Sequence, residues 1–159
     1  MTYEQLLVMS DDLGLIAKEK DLQAYDGRIK GNRIAIRKTI PTNQKKACVL
    51  AEELGHYYTS SGDILDDSIM SMKQERKARL WAYDTQIGLS GLIKAKYAGC
   101  QSPYEIAEYL DVTQEFLAEC IQCYREKYGT HVKCGDFIIL FDPNIDVMTV
   151  DEYLRETNE

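Results

Sequence analysis

Glu52, Glu53 and His56 are the residues whose types and spacing could do chemistry. They sit in Ala47-Cys-Val-Leu-Ala-Glu-Glu-Leu-Gly-His-Tyr-Tyr58, which reads as a helix because Ala47, Leu50, Ala51, Leu54 and Tyr58 follow the spacing of a buried face. At about 100° per residue the two glutamates and the histidine gather on the other side. Glu52 and His56 are four apart, so their side chains stand one above the other and can grip a single ion. Glu53 lies beside them, where a base could act on a water held by that ion. This is the geometry of His-Glu-x-x-His with the first histidine replaced by glutamate. The same pattern also describes a plain surface helix, whose polar side Lys45 and Lys46 share.

The elements that would position these groups can be traced along the chain. Thr2 and Gln5 form a capping box for a helix over residues 2–18, with Gly14 weakening its end. Residues 22–37 alternate apolar with polar and carry turn pairs at Asp26-Gly27 and Gly31-Asn32, which predicts two or three short antiparallel strands. This small sheet would form one wall of the cleft beside Glu52 and His56. Pro41 stops the last strand and Thr42 caps the helix of residues 43–58. Gly62 and Asp63 fall in a loop made acidic by Asp63, Asp66 and Asp67. A second long helix, from Ser71 to about Gln86, repeats Glu75, Ala78 and Ala82 at i, i+3 and i+7. Small residues on that face let another helix come close, which would bring Glu75 up to the Glu52 and His56 side.

Beyond it, residues 90–98 read as a short helix ended by Gly99. Ser102-Pro103 opens another, and Gln114 to Tyr128 forms a third, an arrangement like a helix-turn-helix. Residues 101–129 hold six acids against two bases, a net −4, which opposes a DNA-binding role. Phe137–Phe141 reads as an apolar strand, and residues 142–159 as a polar, peripheral tail with a disordered end.

The 159 residues fit a single domain, divided as a core over 1–88, a helical subdomain over 89–129 and a short strand with its tail over 130–159. A net charge of −7 argues against a partner recognised through phosphates, hence against nucleic acid. No apolar run reaches the roughly 18 residues of a membrane span, and the N-terminal residues lack a secretion signal, so a cytoplasmic protein is expected. The five cysteines are then expected as reduced thiols. Cys120-x-x-Cys123 could suggest a metal or redox pair, but Cys120 shares a face with Leu117, Ile121 and Tyr124, where cysteine acts as a small hydrophobe rather than as half of a metal site.

Leu50-Ala-Glu-Glu-Leu-Gly-His56, followed by Gln74-Glu75-x-x-Ala78-x-x-Trp81-Ala82, resembles the ImmA/IrrE family of metallo-endopeptidases. The preceding hairpin and Glu105-Ile-Ala-Glu-Tyr-Leu110 extend the resemblance over roughly residues 1–128. It implies an α+β fold, a mainly helical zincin-like core with a small antiparallel sheet, followed by the helix-turn-helix-like segment. It implies Glu52, His56 and Glu75 as metal ligands and Glu53 as general base. Most of the family has histidine where this chain has Glu52. The extra carboxylate makes a harder site, suited to Mn2+ as well as Zn2+. An oxyanion donor is also implied, with Tyr57, Tyr58 and His131 as candidates. Relatives carried by phages and mobile elements cleave a helix-turn-helix repressor, so a repressor is the expected protein partner. A second reading keeps the fold but binds the repressor without cutting it, and a DNA-binding regulator built on residues 102–128 is disfavoured by charge.

Overall fold

The structure, a computed structural model, describes residues 1–60 and 68–158. The expected loop with Gly62, Asp63, Asp66 and Asp67 lies outside them. The chain is α+β and divides into two compact units, residues 1–86 and 87–159.

In the first unit, helix α1 (Tyr3–Asp12) begins at the expected capping box: the Gln5 N–H donates to Thr2 Oγ1 at 3.2 Å and the Thr2 N–H donates to Gln5 Oε1 at 2.8 Å. It ends well before residue 18. Gly14 takes φ +75°, a conformation open to glycine that terminates the helix, and Ile16 already starts a strand. Three strands follow, β1 (Ile16–Lys20), β2 (Gly27–Lys30) and β3 (Arg33–Arg37), in the order β1-β3-β2. Gly31-Asn32 closes the antiparallel β2–β3 hairpin, with Gly31 at φ +61°. β1 runs parallel to β3 on its far edge, against the expectation of an antiparallel sheet throughout. Asp26-Gly27 is the entrance to β2 and not a hairpin turn.

Helix α2 (Asn43–Thr59) starts at Thr42, whose hydroxyl accepts from the Lys45 N–H at 3.1 Å. Ile34 and Ile36 of β3 and Leu50 and Leu54 of α2 are fully buried or nearly so, and each contributes about 1.5–3 kcal/mol of apolar burial. Helix α3 (Ser68–Gln86) packs along α2 and begins three residues before the expected Ser71. Its Ala78 and Ala82 are completely buried, as the small-residue face requires.

The second unit contains α4 (Gly88–Tyr97), α5 (Pro103–Leu110), α6 (Gln114–Tyr128), strands β4 (His131–Cys134), β5 (Phe137–Leu140) and β6 (Asp146–Thr149), and α7 (Val150–Thr157). Ser102 and Thr113 cap α5 and α6 with their hydroxyls. Leu117, Cys120 and Tyr124 line the buried face of α6, and the Tyr124 ring meets Phe141 edge-on. None of the five cysteines is in a disulfide. Residues 130–159 are not a strand and a tail. β4, β5 and β6 form an antiparallel sheet, and α7 has its own capping box between Thr149 and Glu152. Each strand here is only four residues long, so alternation over it is too brief to stand out in the sequence. No described helix is long and apolar enough to cross a membrane.

Candidate metal and acid-base site

α2 is held from two sides, and two glycines set how closely. A Cβ on Gly55 would lie 2.2 Å from the Ala78 carbonyl oxygen, so only glycine lets α3 come this near. A Cβ on Gly27 would lie 2.6 Å from Val49 Cγ1 and 3.1 Å from Glu53 Oε1, so glycine also sets the approach of β2. Gly27, read from the sequence as a turn residue, is thus a packing residue. An interior helical glycine such as Gly55, which costs about 1 kcal/mol against alanine, was the available signal for close approach.

This double cover changes the expected faces of α2. Glu53 is not on an open polar side; it is 8% exposed, turned toward β2, where the Ile29 N–H donates to its carboxylate. Tyr58 in turn is exposed, and its ring stacks on Trp81 at 4.8 Å instead of entering the core. Glu52 and His56 are half-buried.

The close α2–α3 approach brings His56 and Glu75 together: Nε2 and Oε2 are 3.2 Å apart. Two ligands of one tetrahedral zinc, each at its usual bond length, are separated by about 3.3 Å, so this pair fits a shared ion. Arg79, one turn beyond Glu75 on α3, contacts the other carboxylate oxygen at 3.3 Å. Among the described residues no three His, Cys, Asp or Glu side chains already converge as a ligand set. The expected third member, Glu52, lies one turn before His56 on the same helix.

Burial pushes the Glu53 carboxyl up to about 7, with the charges of Glu52 and Glu75 adding to the shift and the Ile29 N–H partly opposing it. That value suits a group that must both take and give a proton near neutral pH.

The candidate oxyanion donors divide. Tyr57 and Tyr58 stand at the end of α2, ring edge to ring face at 5.3 Å. His131 belongs to the second unit, where its ring contacts the Thr130 hydroxyl at 3.1 Å and the Tyr153 hydroxyl at 3.3 Å. No family model, no curated protein and no solved structure matches this chain.

Proposed function

We propose that the protein is a metal-dependent endopeptidase, a divergent relative of the ImmA/IrrE family with a zincin-like core, that cuts a helix-turn-helix repressor. The observation that carries this reading is a buried carboxyl, Glu53, poised near 7 beside the His56–Glu75 pair. His56 and Glu75 would hold a divalent ion, Zn2+ or Mn2+, and Glu52 completes the set by turning toward them. When bound, the ion supplies a Lewis acid that polarises a scissile carbonyl and makes water a better nucleophile. Glu53 accepts the water proton and returns it to the leaving amine, while the Ile29 N–H fixes its carboxylate. Arg79 orients the Glu75 carboxylate from the opposite side.

The same contact favours a second reading. A guanidinium on Glu75 partly neutralises it, which suits a scaffold that binds the repressor without cutting. Glu53→Gln separates the two. Incubated with helix-turn-helix repressors and Zn2+ or Mn2+, the parent protein is expected to cleave at a defined bond. The variant should be slower by about 10²–10⁴-fold, the usual contribution of a general base. A parent protein that binds a repressor but cuts none, with either metal, supports the scaffold.

A further inference from the structure

The face of the β1-β3-β2 sheet turned away from α2 carries almost only cations. Register places Lys18 and Arg28 on either side of Ala35, and Ile16 and Lys30 on either side of Arg33, so all share one face. Lys20 stands opposite Arg37 on that face as well. The one acid of β1, Glu19, points the other way and pairs with Lys46 of α2. Arg37 is paired with Asp26 at 3.5 Å, and Arg28 lies over the Tyr25 ring. Lys18, Lys20, Lys30 and Arg33 are exposed and have no ion-pair partner among the described residues.

This arrangement works against the fold. Like charges directly opposite on neighbouring strands, as Lys30 and Arg33 are, repel and destabilise a sheet. In a chain of net charge −7, six bases thus share one sheet face. A local rule broken with no compensation within the fold points to a function. The cations also surround a groove of about 380 Å3 whose floor is aliphatic, formed by Ile16, Leu22 and Ala35, with Ile16 43% exposed.

We propose that this sheet face is a docking site for an acidic polypeptide segment whose acids alternate with aliphatic side chains. Carboxylates meet the rim cations while aliphatic groups cover Ile16 and Leu22. The chemistry favours this occupant over nucleic acid. Single strands are held by aromatic platforms as well as cations, and this groove has no aromatic residue in its lining, Tyr25 lying outside it with Arg28 over its ring. A long polyanion would in addition meet the repulsion of a net −7 protein. Strands in an extended segment repeat every two residues, as the rim does along β1 and β2.

The test is fluorescence anisotropy of the full chain with a labelled peptide alternating glutamate and leucine, beside an alternating lysine and leucine peptide and a single-stranded DNA of equal charge. Binding of the acidic peptide alone, weakened at least about tenfold by Lys30→Glu or Arg33→Glu and by added salt, is expected. Lys94→Glu on α4 is the control and should leave affinity unchanged. Melting temperature reports folding: Lys30→Glu removes a repulsion opposite Arg33, so it should hold or raise thermal stability while binding falls. Equal or tighter binding of the DNA, no binding of the acidic peptide at low salt, or binding indifferent to both substitutions overturns the proposal. Self-association of the protein that Arg33→Glu abolishes overturns it too, by giving the face to a second copy.

Discussion

Gly55→Ala is expected to lower the melting temperature of the first unit by about 10 °C and to separate His56 from Glu75. The added methyl would sit 2.2 Å from the Ala78 carbonyl oxygen, 2.9 Å from its carbon and 3.1 Å from its Cα. These are backbone atoms of α3, which cannot swing aside as a side-chain tip can. Alanine gains about 1 kcal/mol in helix propensity over glycine. Overpacking costs typically about 1–3 kcal/mol, and a contact this short against backbone belongs at or beyond the upper end. The net loss of about 2 kcal/mol converts at roughly 4–8 °C per kcal/mol for a unit of this size. Ala78→Gly should not rescue it, because the obstacle is the carbonyl and not the Ala78 methyl. Thermal melts of the two single variants and the double variant check this. An unchanged or raised melting temperature for Gly55→Ala would show that propensity wins and that the helices are not in close contact at this point.

Glu53→Gln is expected to abolish the pH dependence that Glu53 imposes on the stability of metal-free protein. The folded carboxyl titrates near 7 against 4.5 for an ordinary glutamate, so the folded state holds its proton more tightly than the unfolded chain does. The stability this confers is fully present below pH 4.5 and is lost as pH rises through 7. A shift of that size corresponds to about 3 kcal/mol between the two limits. Glutamine keeps an acceptor for the Ile29 N–H but carries no charge to bury. In the presence of chelator, the variant should match the parent near pH 4.5 and exceed it by about 2–3 kcal/mol at pH 8. Urea unfolding across this range reads the difference. Parallel stability curves for the two proteins would mean that Glu53 is not buried as a carboxylate, and would remove the base from the proposed site.

Much of this was legible in the sequence. Caps at Thr2, Thr42 and Ser102 mark where helices begin, because a hydroxyl accepting from the third residue is a local device. The Glu75, Ala78, Ala82 spacing foretold a close helix pair, and the structure brings Glu75 to His56. What the sequence withheld depends on neighbours far along the chain. A period of two marks a strand but not the direction of its partner, so the parallel β1–β3 pairing was hidden. A single amphipathic axis likewise could not show that α2 is covered from two sides, which is why Glu53 was placed on the open face. Gly27 looked like a turn residue because the group it makes room for, Glu53, is 26 positions away. Arg79 reads as one more surface base until α3 is built and sets it on Glu75.

The central claim is a divalent ion held by Glu52, His56 and Glu75, and calorimetric titration of chelator-treated protein with Zn2+ and Mn2+ tests it most directly. Stoichiometric uptake of at least one of them by the parent is expected, lost in Glu75→Ala and in His56→Ala and retained in Glu53→Gln. Absence of uptake by the parent, or uptake that survives both ligand substitutions, would contradict it.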